Sequence, residues 1–72
     1  MSKTSRNIPS FVINNMNWLR VSRVRQGLER KFLSAKIGLH ISTVSRYEYG
    51  ELFPSKESYN KLAEILGWQK WE

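Results

Sequence analysis

Apolar residues recur along this chain at helical spacing. Val12, Met16 and Leu19 fall four and three apart, which predicts an amphipathic helix. Pro9-Ser10 offers an opening with Ser10 as cap, and Gly27 offers a stop. Arg23 continues the apolar stripe, an unusual residue for a buried face. Leu33 and Ile37 predict a second short helix over Arg30–Ile37, closed by Gly38. Val44 and Tyr47 predict a third over Ile41–Tyr49, closed by Gly50. Glu51–Pro54 reads as a loop. Pro54-Ser55 then opens a fourth helix through Tyr59, Leu62, Ala63 and Leu66, stopped at Gly67. Trp68–Glu72 is too short for another full helix. No strand-like alternation, internal repeat or low-complexity tract interrupts this pattern, so the expected fold is all-α. It is a compact domain of four helices over residues 10–72, with a short fifth at most, behind a flexible basic arm at residues 1–9.

The chain has 72 residues, enough for one domain with one modest core. That leaves little room for an enclosed substrate pocket beside the scaffold. Cysteine is absent, so disulfides, thiolate metal sites and thiol nucleophiles are excluded, and the one histidine, His40, cannot hold a metal alone. No cofactor is expected. A nucleophile, base and orienting group do not come together in the pattern, which argues against an enzyme. No apolar run reaches the ~20 residues of a membrane span, and Phe11-Val12-Ile13 is too short for a signal peptide. The expected location is the cytoplasm, with no membrane partner.

Charge changes the picture. The net charge is +6, and it is unevenly spread. Residues 1–36 hold eight basic side chains and one acidic, whereas residues 37–72 hold four basic and five acidic. Such a one-sided positive field suits a polyanion.

The second and third helices carry the informative spacing. Two helices joined by a tight turn need a small residue where they approach, and Ser34 is there. They need a residue free to take positive φ at the turn, and Gly38 comes four later. They need an apolar residue on the inner face of the second helix of the pair, and Val44 comes six after the glycine. Leu33, Ile37, Leu39 and Tyr47 supply the other inward positions. These are the requirements of a helix-turn-helix.

From Leu19 to Trp68 the chain resembles the lambda-repressor-like, Cro/C1-type (XRE) helix-turn-helix family. The stretches that carry the likeness are LRVSRVRQGLER, FLSAKIGLHISTVSRYEYG and FPSKESYNKLAEILGW. The resemblance implies a partly buried arginine on the first helix paired with a glutamate near the end of the recognition helix, here Arg23 and Glu48. That would account for the arginine on the inward stripe, because a buried charge is tolerated only when paired. It implies base reading by Ile41, Ser42, Thr43 and Arg46 at the N-terminal end of the recognition helix, in the major groove. Arg46 can donate two hydrogen bonds to guanine, and Ile41 can lie on a thymine methyl. It implies phosphate contacts from Arg30, where the family typically has glutamine, from Ser55 and Lys56 at the start of the fourth helix, and from Lys31, His40 and Tyr49.

Several positions depart from the family pattern. Glu29 and His40 stand where capping Ser or Thr is common. Glu29 and Glu51 lie near the expected phosphate track, and Ser22 replaces a frequently apolar position. The chain stops where many relatives place a fifth helix that helps form the dimer, while thirteen extra residues precede Asn14. Phe11, Val12 and Ile13 would extend the first helix, and Trp68 and Trp71 would leave apolar surface at the other end for a substitute dimer contact, unless Trp68 fills the core. The function these features imply is a bacterial or phage transcriptional regulator, of repressor or Cro type, that occupies an operator in double-stranded DNA. It would do so as a homodimer that is weak or monomeric when free. The alternative is a protein-interaction module of the same fold, such as an antitoxin or accessory factor, with Phe32 and Trp71 as exposed contacts.

Overall fold

The computed structural model describes residues 7–72, and the first six residues of the expected arm lie outside that range. Five helices follow one another: α1 (Ser10–Asn17), α2 (Leu19–Arg25), α3 (Arg30–Ile37), α4 (Ile41–Glu48) and α5 (Lys56–Leu66). No strand occurs among the described residues. The first expected helix is thus two, interrupted at Trp18, which has φ −102° and ψ 12°. The interruption is local. The Trp18 amide is shared between the Asn14 and Asn15 carbonyls at 3.2 and 3.0 Å, and its own carbonyl still accepts from Ser22. Asn14, Asn15 and Asn17 surround the break, and asparagine side chains compete with the helical backbone for hydrogen bonds. The stripe from Val12 to Leu19 crosses it, and Val12, Met16 and Leu19 are all buried.

The helix ends differ from expectation at one cap. Pro9, not Ser10, precedes α1, and its carbonyl accepts from Val12 and Ile13; Ser10 is already helical and caps nothing. Ile8, expected in the arm, packs against the core. Ser55 does cap α5, its Oγ accepting from the Ser58 amide at 3.2 Å. At the turn between α3 and α4, Gly38 has φ 74°, a conformation that a side chain would strain. The following Leu39 amide reaches back to the Ser34 carbonyl at 3.0 Å, closing the helix. That closure leaves Leu39 at the rim and 36% exposed, not inward as its place in the pattern suggests.

The core gathers Val12, Met16, Leu19, Leu33, Ile37, Val44, Tyr47, Tyr59, Leu62, Ala63, Leu66 and Trp71. α3 packs on both α4 and α5, while α1 and α2 lie against α4. Ser34 is buried, as the close approach of α3 requires, and its hydroxyl is satisfied by the Lys31 carbonyl at 2.9 Å. Tyr59 is fully buried, and its phenol accepts from Asn15 Nδ2 at 2.9 Å and donates to the Gln69 carbonyl at 2.7 Å. One hydroxyl therefore ties α1, α5 and the tail.

That tail is not helical, yet it is ordered by specific bonds. Asn60 grips the Trp71 backbone on both sides, donating to its carbonyl and accepting from its amide, each at 2.7 Å. Trp71 meets the Tyr59 ring edge-on at 6.1 Å, and Trp68 stacks on it at 5.8 Å. Trp71 is therefore a core residue, which removes it as the exposed partner contact expected above. The large exposed tryptophan is Trp18, at 59%. Trp71→Ala should lower stability by about 3 kcal/mol through lost burial and a cavity, and the melting temperature by roughly 12 °C or more. Trp18→Ala should leave it within about 0.5 kcal/mol of the parent. Thermal melts of the two variants, followed by circular dichroism, check the contrast.

Candidate nucleic-acid interface

α4 is held by one face only. Val44 and Tyr47 are buried, while Ile41, Ser42 and Arg46 are exposed and Thr43 is half-buried. An eight-residue helix is about 12 Å long, too short to be stable alone, so its place is set by what it packs on. Its free side carries an apolar group, two hydroxyls and a guanidinium within a turn and a half. The Arg46 side chain is 56% exposed, with only a loose approach to Glu51 at 3.8 Å, so its donors stay available to a ligand.

The start of α4 is capped by a residue that the usual capping preferences do not suggest. His40 is in an extended conformation, and its Nδ1 accepts from the Ser42 amide at 3.0 Å. The same nitrogen lies 2.9 Å from Ser42 Oγ. An imidazole nitrogen with a free lone pair does here what a Ser or Asp oxygen ordinarily does.

The far end of α4 is anchored by Glu48, whose side chain is 0% exposed. Arg23 Nε donates to Glu48 Oε2 at 2.7 Å and its Nη2 approaches Oε1 at 3.4 Å. Arg23 Nη1 donates to the Leu28 carbonyl at 2.8 Å. The arginine on the inward stripe is thereby accounted for, at 11% side-chain exposure. Sequence reasoning paired Glu48 with Arg23 alone. The structure adds Arg30, whose Nε donates to Glu48 Oε1 at 2.9 Å. The hydrogen bond that Arg30 donates to Glu48, and after it the carboxylate's charge, raise the Arg30 pKa, with smaller contributions from neighbouring Tyr49. Arg30, expected only at a phosphate, thus also locks the start of α3 to the end of α4. The sequence carried a signal for this, since an arginine opening α3 stands where a neutral glutamine is typical.

The other expected phosphate contacts divide. Lys31 and Tyr49 are exposed, Tyr49 at 68%, and Tyr49 lies beside Arg30. Lys56 is turned the other way: its Nζ donates to the Glu72 carbonyl at 2.8 Å and sits 5.7 Å from the centre of the Trp71 ring. The ring and the carbonyl together attract the ammonium to the tail. Ser55 Oγ is spent on its capping bond. The expected second clamp therefore has its two side chains engaged within the protein, leaving backbone amides at the α5 start. No group of three or more metal-ligating side chains occurs among the described residues, and none of their helices is long and apolar enough to cross a membrane.

Arg23→Ala should destabilise the fold by about 3 kcal/mol, because a buried carboxylate loses its closest partner and the Leu28 carbonyl its donor. Arg30→Ala should cost less, since its side chain is 31% exposed and Arg23 still neutralises Glu48. Urea unfolding of both variants checks the order, and equal losses would contradict it.

Residues 19–68, more than two thirds of the chain, match a family model described as Helix-turn-helix, of the Cro/C1 type. No curated protein and no solved structure matches the chain. The matched span opens at the buried Leu19 of α2, holds the Arg23–Glu48–Arg30 cluster and α4, and closes at Trp68 beside Tyr59. The chain belongs to the Cro/C1-type helix-turn-helix family of DNA-binding regulators.

Proposed function

We propose that this protein is a transcriptional repressor that occupies a specific operator through α4 and excludes RNA polymerase from it. The observation that carries the reading is the free face of α4. Ile41, Ser42 and Arg46 stand exposed while Val44, Tyr47 and Glu48 hold the opposite side to the body. A helix held this way fits a major groove about 12 Å wide, with its N-terminal turns against base edges. Arg46 is the guanine-reading donor, and Ile41, Ser42 and Thr43 contribute nearby contacts. Arg30, Lys31 and Tyr49 flank the helix as backbone contacts; the terminal nitrogens of Arg30 remain for a phosphate beyond its Nε bond to Glu48. The Nε2 side of His40 serves the same purpose at the other end. Competitive occupancy needs no catalytic group.

The protein acts as a homodimer on a two-fold symmetric site, with half-sites about 10–11 base pairs apart. Ile13, Leu52 and Phe53, each about two-fifths exposed, border a concave surface beside Tyr47 at the C-terminal end of α4, and support a contact with a second copy. The free protein is a monomer or weak dimer that DNA assembles. An antitoxin-like interaction module would use the same apolar surface but would need no free reading face.

Selection of bound sequences from a random DNA pool tests the reading, with a symmetric site expected and no enrichment as the outcome that refutes it. Arg46→Ala should lose about 1–3 kcal/mol on the selected site, relax preference at one base pair per half-site, and leave random DNA unaffected. Equal loss on both DNAs would pass the reading role to other residues. For the parent, log K should fall with log salt at a slope of roughly −3 to −5 per subunit, for three to five neutralised phosphates. Titrations over a range of salt measure it, and a slope near zero would remove the phosphate contacts.

A further inference from the structure

The hydrogen bonds at the start of α4 determine more than a helix cap. His40 Nδ1 lies 3.0 Å from the Ser42 amide nitrogen and 2.9 Å from Ser42 Oγ. A backbone N–H can only donate, so Nδ1 must be the lone-pair nitrogen, and the neutral ring carries its proton on Nε2. A nitrogen without a proton cannot donate to the hydroxyl. The Ser42 O–H must therefore point at Nδ1, sharing the lone pair with the amide. A hydroxyl ordinarily rotates to suit its ligand, donating or accepting as required. This one has its single proton engaged, and what it offers outward is lone pairs.

We infer that Ser42 meets the major groove as a hydrogen-bond acceptor, with its polarity set by His40, and so selects a base whose exocyclic amino group can donate to it. The inference rests on the proposed reading of DNA by α4. In the major groove the donors are adenine N6 and cytosine N4, whereas guanine N7 and O6 and thymine O4 are acceptors. Ser42 is exposed and four residues from Arg46, on the same face one turn away. The two are opposite in kind. Arg46 has only donors and suits guanine, while Ser42 suits an amino-bearing base. An unconstrained serine at the same place would accept either class. His40 is then a specificity-positioning residue that need not touch a base itself.

The test uses the full chain and its selected operator. Selection with the parent and with Ser42→Ala first identifies the base pair whose preference depends on Ser42. Single-atom changes are then made at that pair. Adenine is replaced by purine, or cytosine by 2-pyrimidinone, to delete the amino group; a 7-deaza purine deletes the N7 acceptor. The parent should lose about fivefold in affinity on deletion of the amino group and nothing on deletion of the acceptor, a single hydrogen bond being worth about that ratio. Ser42→Ala should be indifferent to both. His40→Gly keeps a tolerated N-cap residue, so the fold should survive, as circular dichroism will show. With the hydroxyl freed, that variant should tolerate amino deletion and broaden its preference at this pair alone. Loss on acceptor deletion in the parent, no Ser42-dependent base pair, or a His40→Gly preference identical to the parent's would each overturn the inference. Enrichment of no sequence at all would instead refute the proposed function, and this inference with it.

Discussion

A single buried carboxylate organises this small domain. Glu48 sits at the end of α4 with its side chain fully buried, and an unpaired charge there would cost several kcal/mol. Its two oxygens are met by Arg23 from α2 and Arg30 from the first position of α3, while Arg23 also takes the Leu28 carbonyl in the turn between those helices. Two helices therefore converge on one side chain of α4, and the turn between them is tied in through Arg23. Apolar packing by Val44 and Tyr47 attaches that helix to the core, but non-directional contacts alone would not set its rotation. The directional bonds of the carboxylate do, and with them the set of side chains on the free face.

The same economy runs through the candidate interface. Arg30 divides its guanidinium between Glu48 and the surface, and His40 divides its ring between the α4 cap and the surface. Lys56 has given its ammonium to the tail. In a chain this short, polar side chains near the free face of α4 also supply the bonds that hold the helices in place. Arg30 is therefore tied into the fold, whereas Arg46 has only a loose surface neighbour.

Away from the interface, Tyr59 plays the corresponding part. Its ring meets Trp68 and Trp71, and its hydroxyl joins Asn15 of α1 to the Gln69 carbonyl of the tail. The tail thereby caps the end of the core without forming a helix. Its order comes from paired backbone bonds with Asn60 and from a buried indole, which together replace what helical periodicity would have supplied.

Much of this was legible from residue order alone. Apolar spacing located all the helical segments, because a 3.6-residue period with one buried face leaves a local imprint. Gly38 and Ser34 located the turn and close approach for the same local reason, and family-specific spacing matched Arg23 to Glu48. Other features depended on distant partners. The break at Trp18 was hidden because the buried stripe passes through it without changing phase. Trp71 reads as a loose apolar end in sequence, and only Asn60 and Tyr59, eleven and twelve residues away, make it core. Arg30 and Lys56 carry the same charge and each opens a helix, α3 and α5; the sequence treats them alike. Tertiary packing put a buried carboxylate beside one and a tail beside the other, and a long flexible cation goes where the nearest acceptor is. The sequence determined the helical segments, the core residues within them and the face of α4 that is left free. The direction in which each polar side chain spends its hydrogen bonds was decided only when distant segments met.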